Sequence, residues 1–239
     1  MKKIAFSCLL LLSIAAIAQN TAFKMPAEIK FNKVVVQKIE DKKTSMITYY
    51  FTASGDYMAM KPESKDAGLI IYTKDGDMLV VNDKDKSIIV MNLKGFMTHM
   101  ADRAKDMKDK KGTKDTADIK KNFRKTGNTK TISGYTAEEY EIKHDNDVIN
   151  AWYLKADFDA NMLSYLGFGK MPNMPGGKSA GPSSELGDLP ALGNNYFMAE
   201  MEKNGKKMIE TESIDKTNFS FSSSGYTVRD MVNLMKGNQ

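Results

Sequence analysis

Cysteine and histidine are scarce in this chain. The 239 residues include one cysteine, Cys8, and two histidines, His99 and His144. Cys8 lies within an apolar run near the N-terminus, so the chain after that run has no cysteine. A disulfide framework is therefore excluded, and the cysteine and histidine clusters that bind zinc are missing. The fold has to be stabilised by an apolar core alone.

The surroundings that hydrolytic chemistry needs are also absent. Residues 177–181 match the pattern G-x-S-x-G with Ser179 in the centre, but Pro182 follows and both histidines precede. The nucleophile elbow needs a strand before the serine, a helix after it and a later histidine. Glu139 and Glu141 would share one face of a single strand, which is typical of a solvated surface. We therefore expect no catalytic residues and no enzyme.

Charge and methionine content exclude two further classes. Lysine and arginine total 35 against 30 acidic residues, and the two signs alternate along the chain, so no nucleic-acid partner is indicated. The chain contains 18 methionines, which are soft ligands for copper(I). Most of them lie among apolar residues and are typical of flexible core filling. We predict neither a metal site nor a cofactor.

The N-terminus has the organisation of an export signal. Lys2 and Lys3 precede an apolar run at 4–17, which ends in the A-x-A pattern of Ala16 and Ala18. This predicts a signal peptide over residues 1–18, cleaved after Ala18, and a periplasmic or secreted protein. The run is too short to span a membrane, and no transmembrane segment is expected in the mature chain. Cys8 lies too early in the run to become a lipidated first residue.

Residues 29–91 have the texture of successive antiparallel strands. Six β-branched and aromatic runs follow one another at a spacing of roughly ten residues. Asp75–Gly76 and Asn204–Gly205 indicate type I′ hairpin turns, the second placing Met201 opposite Met208. Residues 219–221 are expected to add an edge strand.

Two segments show the periodicity of a helix. A third shows neither helical nor strand periodicity. Phe96, Met97 and Met100 recur at steps of three and four, which predicts an amphipathic helix over 93–107. Val228 and Met231 begin a similar pattern at the C-terminus. Residues 167–193 are rich in glycine and proline and predict an irregular loop. We expect one domain over residues 19–239.

Residues 131–142, with the sequence TISGYTAEEYEI, form the most distinctive segment and suggest a strand kinked at glycine. The segment resembles the I-x-G-Y-x-[AC]-E-E-Y-x-I strand of a family of secreted bacterial proteins, the domain-of-unknown-function family 4412. The matching residues are Gly134, Tyr135, Glu138, Glu139 and Tyr140. Ala137 stands where many relatives carry cysteine, which argues against a redox role at that position.

This family is similar to the LolA/LolB-like periplasmic lipoprotein carriers. The resemblance implies an α+β, mostly β fold: a curved open antiparallel half-barrel of about ten strands around a central amphipathic helix, with a short C-terminal helix. It assigns no activity. It implies a non-catalytic module that holds an apolar or lipid ligand in the concavity of the sheet.

The ligand-binding concavity would be lined by Phe96, Met97, Met100 and Trp152, because methionine and aromatic side chains form adaptable apolar linings. The alternative is an envelope interaction or structural protein that docks a partner through residues 167–193. An open apolar concavity favours the first hypothesis. A concavity packed solid by Phe96, Met97 and Met100 favours the second.

Overall fold

The structure is a computed structural model that describes residues 23–40, 43–64, 68–93, 123–144, 147–160, 192–193 and 195–231. Strands account for 68% of these residues, and no helix is present among them. The predicted α+β class with a central helix is therefore wrong, since the described part is almost all β. The segment predicted as that helix, 93–107, lies outside the described residues except for Leu93.

The prediction of a C-terminal helix is also wrong for its first residue, Val228. Val228 lies in a strand, Thr227–Asp230, that pairs with the edge of the main sheet. Threonine and valine are β-branched and favour such a pairing. Residues 232–239, the rest of the predicted helix, lie outside the described residues.

Fourteen strands are formed within the described ranges. They are β1 (Glu28–Lys30), β2 (Lys33–Glu40), β3 (Thr44–Phe51), β4 (Tyr57–Pro62), β5 (Ile70–Thr73), β6 (Asp77–Asn82), β7 (Ser87–Asn92), β8 (Phe123–Ile132), β9 (Tyr135–His144), β10 (Asp147–Lys155), β11 (Tyr196–Lys203), β12 (Lys206–Lys216), β13 (Ser220–Ser222) and β14 (Thr227–Asp230).

Twelve of these strands form one sheet, in the order β14-β7-β6-β5-β4-β3-β2-β12-β11-β10-β9-β8. Strands β2 to β7, the first meander, and β8 to β12, the second meander, each follow chain order and meet where β12 pairs with β2. All pairs are antiparallel except β14 with β7, which confirms the predicted antiparallel sheet. Strands β1 and β13 form a separate two-stranded sheet, so the strand expected at 219–221 is present.

Residues 131–142 form a hairpin, and the prediction of a single kinked strand is wrong. Ser133 and Gly134 both have positive φ, 48° and 84°, which is the signature of a type I′ turn. Ile132 at the end of β8 therefore pairs with Tyr135 at the start of β9. The glycine reverses the chain because it enters the left-handed region without a steric penalty.

The other two predicted hairpins are present, with differences in detail. At Asp75–Gly76 the loop has three residues, not the two of a type I′ turn, and Gly76 has a φ of 88°. At Asn204–Gly205 both φ values are positive, as predicted. Met201 nevertheless pairs with Ile209 and not with Met208, because the register shifts by one residue beside Met201.

The ladder between β11 and β12 is incomplete, and we call its end, beyond the pair Glu200–Glu210, the split. Past this point β12 continues along β2, and β11 continues along β10. Buried side chains bond to the freed carbonyls: Gln37 Nε2 donates to Met198 O at 2.9 Å, and Thr211 Oγ1 donates to Ala199 O at 2.7 Å. Side-chain hydrogen bonds thus replace backbone pairs that would otherwise be lost in the interior.

Side chains from both meanders share one apolar cluster at the split. It contains Phe51 of the first meander and Phe197 of the second, with Phe158 between them. The ring centroid of Phe158 lies 4.5 Å from that of Phe51 and 5.9 Å from that of Phe197. Two further clusters cover the opposite face, one under β4 to β7 with the small sheet and one under β9 to β12. Strands β4 to β7 of the first meander therefore carry buried side chains on both faces.

Candidate functional site

A continuous row of large side chains crosses five strands of the first meander. Each member pairs with the next on the neighbouring strand, so all five point to one face of the sheet. All are buried, and three are methionines. This methionine row consists of Phe51, Met58, Tyr72, Met78 and Met91.

Tyr72 lies at the centre of the methionine row. Met58 and Met78 stand directly opposite it on the two flanking strands. Its residue is 1% exposed, yet its hydroxyl has no hydrogen-bond partner. Burial raises the pKa of Tyr72, so the phenol stays protonated and is a donor at physiological pH.

A second row runs beside the first and is less deeply buried. Tyr49, which is buried, pairs with Met60, Met60 with Ile70, and Ile70 with Val80. The last three are half-buried and pack against the same cluster as the methionine row. Together the two rows form a wide apolar face whose unbranched methionines can repack at little cost.

A polar clasp of Lys33, Tyr135 and Asp157 lies at one end of the methionine row, where Lys33 pairs with Phe51. The Lys33 ammonium donates to Tyr135 Oη at 3.0 Å and to Asp157 Oδ2 at 2.9 Å. Tyr135 Oη donates to Asp157 Oδ1 at 2.7 Å. Lys33 belongs to the first meander and Tyr135 to the second, so the clasp joins the two across the split.

The electrostatics of the clasp fix the protonation of all three groups. Burial alone would lower the pKa of Lys33, but its bonds to Tyr135 and Asp157 outweigh burial and raise it. Burial and the bond to Asp157 raise the pKa of Tyr135. Burial would raise the pKa of Asp157, but the two donors lower it. The lysine stays charged, which makes it a poor nucleophile.

Glu139 is the centre of a second polar network, and the prediction of a solvated position is wrong for it. The residue is buried, and three side chains donate to its carboxylate: Thr126 and Asn128 at 2.7 Å and Asn150 at 2.9 Å. Burial would raise its pKa, but these donors lower it overall. Thr126 and Asn128 lie where the register of β8 shifts, so Glu139 holds an irregular edge strand in place.

Trp152, predicted to line a ligand, is half-buried against the shared apolar cluster at the split. Lys130 Nζ lies 4.2 Å from the centre of its ring and 2.6 Å from Glu200 Oε2. One face of the indole is therefore covered by a cation. Trp152 belongs to the second meander, whereas the methionine row belongs to the first, and both contribute to this cluster.

The remaining residues predicted from the sequence fall into two groups. Phe96, Met97 and Met100 lie outside the described residues. Glu138 pairs with Lys125 at 2.8 Å, and Tyr140 stacks on Phe123 with ring centroids 4.9 Å apart. With Gly134 in the turn, these signature residues stabilise the β8–β9 hairpin.

Sequence analysis did not identify Met58, Tyr72 and Met78 as a group. One signal was present, because the hairpin at Asp75–Gly76 already places Tyr72 near Met78. The pairing of Met58 with Tyr72 depends on the register between β4 and β5, which no turn motif in that connection fixes.

Within the described ranges, no group of three or more histidine, cysteine, aspartate or glutamate side chains is placed to hold a metal ion. The same part of the chain contains no helix with the length and hydropathy needed to span a membrane.

No family model and no curated protein matches this chain. Among solved structures, the chain is similar to "Structure of PNGF-II in C2 space group", with 13% identity over 88% of this chain and 32% of that one, at a TM-score of 0.41. It is also similar to an uncharacterized conserved protein from Thermus thermophilus, with 6% identity over 84% of this chain and 90% of that one, at a TM-score of 0.39. This chain therefore spans about a third of the length of PNGF-II, and neither likeness is strong enough to carry a functional argument.

Proposed function

We propose that this protein is an exported, non-catalytic binding module that holds an apolar or lipid ligand against the methionine-lined face of its sheet. The observation that carries the proposal is the methionine row, with Met58 and Met78 on either side of a buried tyrosine. Methionine has no branch and fills irregular space, so a methionine-rich lining accepts a flexible chain by repacking. The half-buried Met60, Ile70 and Val80 extend the lining along the sheet.

The polar groups of the molecule support a binding role over a catalytic one. The Lys33 ammonium and the Asp157 carboxylate neutralise each other in the clasp. The Glu139 carboxylate already accepts from three side chains. General acids and bases need a pKa near the working pH, whereas these groups are held firmly in their charged forms.

The proposed location is the periplasm or the exterior, after cleavage behind Ala18. The signal pattern of residues 1–18 and the likeness of residues 131–142 to a secreted family support it. In that compartment a carrier protects an acyl chain from water, and the energy gained is about 25 cal/mol for each Å² of apolar surface removed from it.

Displacement of an apolar fluorescent dye tests the proposal. The purified protein should bind 1-N-phenylnaphthylamine in the folded state, and monolauroylglycerol should displace it. Met60→Glu places a charge in the half-buried second row and should weaken dye binding about tenfold, because the charge must lose water when the ligand binds.

Lys61→Glu is the matched control. Lys61 is the next residue of β4, is exposed and points to the opposite face. Its variant should bind the dye as the natural protein does. Failure of the folded natural protein to bind dye would contradict the proposal, as would equal affinity of the two variants. The alternative, docking of a partner through residues 167–193, would then be the better hypothesis; most of that loop lies outside the described residues.

A further inference from the structure

Two buried side-chain polar atoms among the described residues have no hydrogen-bond partner: Gln37 Oε1 and Tyr72 Oη. The amide nitrogen of Gln37 is bonded at the split, so that side chain already has a structural role. Tyr72 has no such role for its hydroxyl. A buried donor without a partner destabilises a folded protein. Phenylalanine would fill the same volume without that cost. The hydroxyl therefore needs another explanation.

The surroundings of Tyr72 restrict what the hydroxyl can meet. Its strand neighbours are Met58 and Met78, and Tyr49, one row away, is also buried. Burial raises the pKa of Tyr72, and no charged group among the described residues contributes to that shift. The cation at the end of the row, Lys33, is already bonded to Asp157.

An anionic headgroup does not suit such a position. A carboxylate or phosphate near Tyr72 would lose its water without gaining a cation from the described residues, which is strongly unfavourable. An ester or amide carbonyl has no charge to desolvate and accepts one hydrogen bond from a phenol. A plain hydrocarbon would leave the hydroxyl unsatisfied.

We propose that Tyr72 donates a hydrogen bond to the uncharged carbonyl of an acyl ester or amide whose chain lies along the methionine row. The inference rests on the proposed function and makes it more specific, since it selects acylated lipids over fatty acids and hydrocarbons. Tyr72 supplies the specificity, and Met58 and Met78 supply the adaptable walls. Tyr72 and its two neighbours are at most 3% exposed, so the carbonyl would enter between these walls only as the methionines repack.

A matched pair of lipids tests this inference. 1-Monolauroylglycerol and 1-O-dodecylglycerol have the same chain and headgroup, and only the first has a carbonyl. The natural protein should bind the ester about fivefold to tenfold more tightly than the ether, measured by displacement of 1-N-phenylnaphthylamine. Tyr72→Phe should bind both lipids with the affinity of the natural protein for the ether.

Two controls separate recognition from packing. Ile71→Val removes one methylene from the buried cluster on the opposite face of the same strand, outside the methionine row, and should keep the preference for the ester. Tyr72→Phe should melt no lower than the natural protein, because its hydroxyl has no partner to lose.

The outcomes distinguish this inference from the proposed function. Equal binding of the two lipids by the natural protein would overturn the role of Tyr72 and leave the binding function intact. An ester preference that survives in Tyr72→Phe, or that Ile71→Val also abolishes, would overturn it as well. If neither lipid nor dye binds, the proposed function fails and the inference fails with it.

Discussion

The first and second meanders are both built from antiparallel strand pairs, and both pack against one shared apolar cluster. The side chains that they bury there differ in kind. In the first meander, Met58, Tyr72 and Met78 form an apolar face with one unsatisfied hydroxyl. In the second, Glu139 is fully bonded, and Lys130 is paired with Glu200 beside Trp152. The contacts of the first region are non-directional, whereas the second is held by directional bonds.

The difference has a physical basis in what each contact requires. Apolar contacts are non-directional, so a methionine that moves to admit a ligand exchanges one set of neighbours for another. A buried carboxylate that loses a donor has no substitute in the interior. We therefore expect ligand binding to depend on the first meander and the order of the β8 edge to depend on the second.

The largest effect on stability should come from Glu139. Glu139→Ala removes the acceptor of three side chains and should lower the free energy of unfolding by about 2 kcal/mol. Dye affinity should not change, because the methionine row belongs to the other meander. Urea denaturation and dye titration of one preparation measure both quantities.

Glu141→Ala is the matched control for that variant. Glu141 lies two residues along the same face of β9 and is paired with Arg124, whose side chain is mostly exposed. Exposed ion pairs contribute little, so the loss should be much smaller than that from Glu139→Ala. Equal losses from the two variants, or a change in dye affinity with Glu139→Ala, would break the proposed division of roles.

A smaller effect, and one that depends on pH, should come from Asp157 in the clasp. Asp157→Asn removes the charge that faces the Lys33 ammonium and should cost about 1 kcal/mol at pH 7, because the aspartate is largely exposed. The pKa of Asp157 is lowered on folding, so its contribution is complete above its unfolded value and is lost as the pH falls below about 4. The pKa of Lys33 is raised, so its contribution is lost only above about pH 10.

Urea denaturation of both proteins at pH 7 and pH 3 checks whether the contribution of Asp157 to stability falls as the pH falls. The difference between natural protein and Asp157→Asn should be present at pH 7 and smaller at pH 3. A difference that grows in acid would show that the clasp does not hold an ionised aspartate.

The sequence predicted the antiparallel sheet because its turn residues are explicit. Asn204–Gly205 is a strong type I′ signal and gave a correct hairpin. Ser133–Gly134 makes a turn of the same kind, but serine is not a usual first residue of that turn, so the reversal was missed. The predicted fold class was wrong because the described residues form strands and no helix. The segment whose period predicted the central helix lies outside the described ranges.

The register at the split could not be predicted from local patterns. Met201 faces Ile209 because an extra residue interrupts the pairing with β12. The split itself is stabilised by Gln37 and Thr211, which lie far apart in the sequence and bond to carbonyls on β11. The partners of Lys33 are likewise more than a hundred positions away, at Tyr135 and Asp157. Such contacts depend on the completed fold.

Native mass spectrometry of the protein purified from its own cell envelope tests the central claim most directly. The protein should appear with an added mass that organic extraction removes, and the extract should contain an acylated lipid. Met60→Glu should reduce the bound fraction more than it reduces the folded fraction, while Lys61→Glu leaves both unchanged. A natural protein that appears only at its bare mass and binds no apolar dye when folded would contradict the claim.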